Sequence, residues 1–114
     1  MTDMIERRAY LARLFDLYRP LLTEKQQTMF DLYHQCDLSL GEIAEETAIS
    51  RQAVFDVIKR TENALEEYEQ KLHLLKAENA RQEAVVRLQR VVERAVLDEA
   101  IKQEIAELLE KLNQ

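Results

Sequence analysis

The sequence predicts an all-α protein built around a helix-turn-helix, with a long extension of the second motif helix and a pair of C-terminal helices. The 114 residues include one glycine and one proline, so little turn chemistry is available and helices are favoured throughout. Apolar residues recur at spacings of three and four along most of the chain. The segment 40–60, LGEIAEETAISRQAVFDVIKR, carries apolar and capping residues where a helix-turn-helix needs them.

The first two predicted helices lie ahead of the motif. One ends near Pro20, because the residue before a proline is pushed out of the α region, and its inward face carries Ile5, Leu11, Leu14, Phe15 and Tyr18. Thr23 is the expected N-cap of the second helix, with Gln26 at the capping-box position. The buried side of this helix is predicted to be Met29, Phe30, Leu32 and Tyr33.

The helix-turn-helix begins at a second capping box, formed by Ser39 and Glu42, and its second helix is capped by Ser50. Ile43 and Ala44 face Val54, Val57 and Ile58 across the predicted interface. The turn has Ala48 where such motifs commonly have glycine. Since a positive φ would strain an alanine, we expect ordinary dihedral angles there.

The second motif helix presents the predicted recognition face, the side that would enter a major groove. Asp56 shares this side of the helix and would repel phosphates unless it contacts a cytosine amino group. Phe55 has two interpretations, since its ring either touches a partner or turns inward and extends the core. The candidate nucleic-acid-binding residues are Arg51, Gln52, Phe55, Lys59 and Arg60.

No residue after Arg60 stops the helix, so the sequence predicts that it continues well past the motif along Leu65, Tyr68, Leu72 and Leu75. Two further apolar series follow, with a break expected between 94 and 98 and a cap at Asp98. We therefore predict a helix-turn-helix domain over 1–65 and a helical extension over 66–114. The extension carries more apolar surface than the motif can cover, so it folds back as a hairpin or pairs with another chain; we favour a homodimer.

The net charge of −6 is unevenly distributed. Residues 23–62, which contain the motif, carry a net −4, whereas residues 1–22 carry +1 and residues 63–114 carry −3. Nonspecific DNA binding depends on Lys and Arg displacing counterions from phosphates, with log K falling by about 0.9 per phosphate for each decade of salt. An acidic motif therefore predicts weak, salt-sensitive DNA binding.

Against this acidic background, the stretch 71–94 carries a local net charge of +3. It is either a solvated helix face with ion pairs four residues apart or a surface for an anionic partner such as RNA or an acidic protein. Both interpretations remain open. The basic residues of this secondary surface are Lys71, Lys76, Arg81, Arg87, Arg90 and Arg94.

Catalytic and metal chemistry have little support in the sequence. Structural zinc requires about four Cys or His ligands, whereas the chain has Cys36, His34 and His73. Cys36 lacks a recognisable base, and no glycine-rich phosphate loop occurs, so we expect a protein that is not an enzyme and needs no cofactor. With a single cysteine, no secretory signal and no apolar run of about 20 residues, we expect a cytoplasmic protein without membrane insertion.

Residues 21–72, LLTEKQQTMFDLYHQCDLSLGEIAEETAISRQAVFDVIKRTENALEEYEQKL, resemble the YlxM family, the small helix-turn-helix proteins associated with the signal recognition particle in Gram-positive bacteria. The resemblance extends over residues 11–76 and is most specific in SLGEIAEETAISRQAVFDVIKRTE. The motif is also similar, at lower specificity, to region four of bacterial sigma factors, which Ser50, Arg51 and Val54 match. Phe55 and Asp56 depart from the basic and amide residues of that pattern.

The YlxM resemblance implies a regulatory or accessory role in co-translational targeting, through contacts with the RNA and protein of the signal recognition particle or through transcription. Our leading hypothesis is a dimeric helix-turn-helix protein that modulates this pathway by binding the particle's RNA and protein. One alternative is a transcriptional regulator that binds DNA with Arg51, Gln52, Lys59 and Arg60. The other is a protein-protein adaptor whose helix-turn-helix contacts only protein.

Overall fold

The computed structural model describes residues 2–113, which form helices and short connections without a strand, and this confirms the all-α class. A 3-10 turn at Arg19–Leu21 and a π-helical turn at Asp31–Gln35 flank the second α-helix. The α-helices are α1 (Thr2–Tyr18), α2 (Glu24–Phe30), α3 (Leu40–Thr47), α4 (Arg51–Leu72), α5 (Leu74–Arg94) and α6 (Glu99–Leu112). The chain divides into two compact units, one that runs through Leu75 and one that begins at Lys76.

The larger of two core clusters in the first unit joins α1 to α2 and α4. The rings of Phe15 and Phe30 stack with centroids 4.5 Å apart, and both side chains are fully buried. The prediction that Ile5 also lies on this inward face is wrong, since its side chain is 72% exposed. Helix α1 meets the core only from Leu11 onward. The cluster consists of Leu11, Leu14, Phe15, Tyr18, Leu22, Phe30, Leu65 and Leu75.

The second motif helix continues past the motif as predicted, to Leu72, and the capping of α5 explains why it does not continue through residue 73. His73 adopts a left-handed conformation (φ 55°, ψ 33°), which ends α4 at Leu72. The Tyr18 hydroxyl accepts a hydrogen bond from the Leu74 amide (3.1 Å) and donates to Glu69 Oε1 (2.7 Å), which also accepts from the Leu75 amide (3.0 Å). Burial, followed by the Glu69 carboxylate, raises the pKa of the Tyr18 phenol. The first backbone amides of α5 therefore donate to side chains of α1 and α4, and not to a capping residue next to them in sequence.

The second half of α4 contributes to the core of the first compact unit, which runs through Leu75. Leu65 is fully buried in the first core, and Leu75 belongs to the same cluster. The second half of α4 is thus a structural member of the helix-turn-helix unit.

The second unit contains most of α5 and all of α6, and it buries few side chains. The break between 94 and 98 is confirmed, and the Asp98 carboxylate accepts a hydrogen bond from the Ala100 amide (3.3 Å). Side chains from both helices line one cavity, so α5 and α6 form a hairpin; the lining residues are Gln89, Val92, Glu93, Ala106 and Leu109. Among its apolar side chains, Val85 and Leu109 are buried, whereas Val86, Leu88, Val91, Ile101, Leu108 and Leu112 are exposed.

Candidate nucleic-acid interface

The two helices of the motif start where their capping residues predict. The Ser39 hydroxyl accepts from the Glu42 amide (3.1 Å) and the Glu42 carboxylate accepts from the Ser39 amide (3.0 Å), which completes a capping box. These contacts lower the pKa of Glu42. The Ser50 hydroxyl accepts from the Ala53 amide (3.1 Å) and fixes the start of α4.

The prediction of ordinary dihedral angles for the turn between the two motif helices is wrong. Ala48 adopts the left-handed conformation (φ 60°, ψ 34°) that is easiest for glycine. Contacts on both sides hold it there: the Thr47 hydroxyl donates to the Ile43 carbonyl (2.6 Å), and Ile49 packs against the motif core. The buried members of that core are Met29, Ile43, Val54 and Ile58.

The outward side of α4 carries polar groups that contact one another. Gln52 Nε2 donates to Asp56 Oδ1 (3.0 Å), so the amide partly satisfies the carboxylate that would repel phosphates. The side chain of Arg51 passes over the first turn of α3, where a β-carbon on Gly41 would lie 3.9 Å from Arg51 Cδ. Both arginine and amide are exposed and point away from the motif core.

The remaining residues of the recognition face are also exposed. Phe55 is 45% exposed, which favours the interpretation of its ring as a contact surface over the inward one. Lys59 Nζ lies 3.9 Å from Glu62 Oε1, at the limit of an ion pair. Within residues 2–113, Arg60 forms no ion pair, so its charge is available to a partner. The fold therefore places all five predicted residues of the recognition face on the surface of α4.

The side chain of His34 is buried behind this face, whereas the sequence indicated only that His34 lies where the second helix ends. The π-helical turn directs His34 inward, where its ring stacks on Phe30 with centroids 4.0 Å apart. His34 Nε2 lies 3.7 Å from Glu62 Oε2. The pKa of Glu62 is lowered, first by His34 and then by Lys59, while burial opposes both. No sequence motif marks this pair, since its members come from different helices.

The secondary basic surface divides into two parts. Lys71 lies at the end of α4 and pairs with Glu67 (2.9 Å), as the solvated-face interpretation expects. By contrast, Arg81, Arg87, Arg90 and Arg94 form no ion pair with another described residue, although acidic residues stand three or four positions away. Their side chains are exposed, as is that of Lys76.

Three of these arginines share one face of α5, because they are spaced by three and four residues. We call Arg87, Arg90 and Arg94 the arginine stripe. They line an open groove together with Val91 and Glu93. The stripe places three guanidinium groups along two helical turns of the second unit, with the Glu93 carboxylate in the same groove.

Other site chemistries find no support among the described residues. Across residues 2–113, no three His, Cys, Asp or Glu side chains come close enough together to hold a metal ion. None of the described helices combines the length and the apolar content that crossing a membrane requires. Cys36 is exposed and forms no disulfide bond among the described residues.

Comparison with known proteins gives a consistent answer over nearly the whole chain. Residues 5–108 match the model of the UPF0122 family, helix-turn-helix proteins described as YlxM / p13 like. Similar UPF0122 proteins occur in Bacillus cereus (strain AH187), Bacillus anthracis (strain A0248) and Bacillus thuringiensis subsp. konkukian (strain 97-27). Each is 50% identical to this chain over 111 residues, which cover 96% of this chain and 100% of the relative.

Proposed function

The chain belongs to the UPF0122 family of YlxM/p13-like helix-turn-helix proteins, and on that premise we propose that it is a nucleic-acid-binding accessory protein of the signal recognition particle pathway. It acts without catalysis, in the cytoplasm, by contacting the RNA and protein of the particle. The involvement of this pathway rests on the resemblance of residues 11–76 to YlxM proteins, and the contact with RNA rests on charge and exposure.

The observation that carries the proposal is the arginine stripe. Acidic residues stand three or four positions from each of these arginines, yet their guanidinium groups form no ion pair among the described residues. Arginine presents five donors in a planar fork that matches phosphate geometry. A row of such groups along two turns fits a phosphate backbone of an RNA.

A second candidate function is DNA binding by the recognition face, which would make the protein a transcriptional regulator. The geometry of α3 and α4 favours it, since Arg51, Gln52 and Lys59 are exposed at the start of the second motif helix. The hydrogen bond between Gln52 and Asp56 weighs against it, because it occupies an amide that would read a base. An exposed Phe55 beside a carboxylate also suits a protein surface, as the adaptor hypothesis requires.

One titration separates these functions. The purified protein is titrated against particle RNA, the assembled particle and duplex DNA, each at low and moderate salt. We expect the RNA-containing species to bind, and the triple variant Arg87→Gln, Arg90→Gln, Arg94→Gln to weaken binding at least about tenfold and to flatten its salt dependence. Lys71→Gln is the matched control, since Glu67 already pairs with its ammonium.

Two other results would favour the alternatives. Binding of DNA alone, abolished by Arg51→Gln with Lys59→Gln, would identify a transcriptional regulator and refute the leading proposal. Binding of the particle's protein without any nucleic acid, lost on Phe55→Ala, would identify an adaptor.

We also propose that the second unit forms a homodimer. Its hairpin leaves Leu88, Ile101, Leu108 and Leu112 exposed, more apolar surface than a hairpin of this size normally presents to water. Opposite charges accompany it: residues 76–94 carry +2, whereas 98–112 carry −3. Light scattering is expected to give a dimeric mass for the wild type and a monomeric mass for Ile101→Gln with Leu108→Gln. Glu104→Gln on the same helix is the control, and a monomeric wild type would refute the dimer.

A further inference from the structure

The His34 ring is buried in the first unit, and its two nitrogen atoms are unsatisfied. Its side chain is 4% exposed, and neither Nδ1 nor Nε2 has a hydrogen-bond partner among the described residues. The ring lies between Phe30, on which it stacks, and Tyr33, which meets it edge-on at 5.1 Å. Buried polar atoms normally find partners, and π-helical turns such as the one that holds His34 often occur at functional sites.

Glu62 on α4 stands between this ring and the recognition face. One carboxylate oxygen, Oε2, lies 3.7 Å from His34 Nε2, and the other, Oε1, lies 3.9 Å from Lys59 Nζ. Both distances suit ion pairs but are too long for hydrogen bonds. Glu62 is mostly buried, with 14% of its side chain exposed, whereas 57% of the Lys59 side chain is exposed. A single carboxylate is thus shared by a buried group and a surface group.

The charges around His34 come from two helices. From α1, Arg7 and Arg8 line the same cavity, but Arg7 pairs with Glu66 (2.8 Å) and Arg8 with Asp37 (2.8 Å). From α4, Glu62 is negative and Lys59 is positive. Because both arginines already have acidic partners, Glu62 is the charge that responds most directly when the ring gains a proton.

We propose that His34 is a proton-operated switch, in which protonation of the ring draws Glu62 into a hydrogen bond and releases Lys59 to the recognition face. The neutral ring leaves the 3.7 Å gap open. A proton taken from solvent by Nε2 turns this atom into a charged donor, and the carboxylate oxygen accepts from it. The carboxylate has one negative charge, so stronger attraction to the ring weakens its hold on Lys59.

The switch itself is tested without nucleic acid, so its outcome does not depend on the proposed function. The chain has two histidines, and the exposed His73 serves as an internal reference in an NMR titration of the ring Cε1 signals. We expect the Lys59 Cε signal to change together with the His34 Cε1 signal in the wild type, because the Glu62 carboxylate lies between the two groups. Glu62→Gln and His34→Gln should each abolish this joint change.

Two controls keep the test decisive. Glu67→Gln, which removes an exposed carboxylate from the same helix, should leave the joint change of the two signals intact. If His34→Gln fails to fold, Glu62→Gln still reports on the pair, because its amide keeps the shape of the side chain. The switch is refuted if the Lys59 signal does not change together with the His34 signal in the wild type, or if Glu62→Gln leaves this joint change intact.

Its consequence for binding rests on the proposed function and is measured separately. In anisotropy titrations with hairpin RNA and duplex DNA, whichever binds should bind about two- to fivefold more tightly near pH 6 than near pH 8, the range expected for release of one partly exposed ion pair. Lys59→Gln should remove this pH dependence. If neither probe binds, the proposed function fails, whereas the NMR titration still decides on the switch.

Discussion

The two units of the chain consist of the same kind of helix and differ in what their apolar residues contact. The first unit buries complete side chains from four helices, α1 to α4, and joins distant parts of the chain through Tyr18 and Glu69. The second is a hairpin in which Val85 and Leu109 are buried while their apolar neighbours stay exposed. From this difference we expect the first unit to be the more stable of the two, and the exposed apolar residues of the second are those that the proposed dimer would cover.

The largest expected difference between the units comes from one substitution made in each. Leu14→Ala, at a fully buried site, is expected to lower the free energy of unfolding by about 3–5 kcal/mol. Leu109→Ala should cost about 2 kcal/mol or less, because its exposed neighbours can collapse into the space. Urea denaturation followed by the helical signal measures both, and equal costs would contradict the comparison.

The long-range cap of α5 should have the next largest effect. Tyr18→Phe removes a buried hydroxyl that contacts Glu69 and the Leu74 amide, and is expected to cost about 1–3 kcal/mol of unfolding free energy. Tyr68→Phe is the matched control, because its hydroxyl makes one longer, exposed contact with the Leu21 carbonyl (3.3 Å). A cost for Tyr18→Phe no greater than that of the control would show that the cap contributes nothing to the first unit.

A glycine should stabilise one unit and destabilise the other. Ala48→Gly relieves a left-handed conformation that costs an alanine about 1 kcal/mol, so we expect a gain of up to that amount in unfolding free energy. Ala84→Gly, in the exposed interior of α5, should lose about 0.5–1 kcal/mol. The two midpoints in urea should therefore move in opposite directions, and a loss at both sites would show that Ala48 is not strained.

The smallest expected effect is a loss of stability of the first unit at acidic pH. The pKa of Glu62 is lowered in the folded protein, so its carboxylate stabilises the fold above the unfolded pKa of about 4.3, and this contribution is lost as pH falls through the lower folded value. The stability difference between wild type and Glu62→Gln should accordingly shrink below about pH 4. Urea midpoints between neutral and acidic pH measure it, with Glu83→Gln in the second unit as the control. A difference that stays constant with pH would contradict this assignment.

Residues whose partners are close in sequence allowed correct predictions. Ser39 with Glu42 and Thr23 with Gln26 form their capping boxes three residues apart, and Asp98 caps α6 from the adjacent position. The apolar spacing of the motif likewise predicted its core, because neighbouring turns of one helix fix which side chains share a face.

Features that depend on distant residues could not be predicted in this way. The end of α4 at His73 requires Tyr18, and the inward turn of His34 requires Phe30 in a π-helical turn and Glu62 on another helix. Ala48 shows the opposite case, in which packing by Thr47 and Ile49 overrides a local preference. The recognition face was predicted as a set of positions, but the pairing of Gln52 with Asp56 depends on rotamers, which the pattern of residue types does not specify.

The Tyr18 hydroxyl also sets an order of events during synthesis. Its partners Glu69 and Leu74 lie 51 and 56 residues later in the chain, so α1 is synthesised long before the Tyr18 hydroxyl can form its hydrogen bonds. Contacts between residues this far apart in sequence form late in folding, because the intervening chain must first lose conformational entropy. A nascent chain that has not yet exposed Leu75 therefore carries an incomplete first unit, and the helix-turn-helix reaches its final packing only after the start of α5 has emerged.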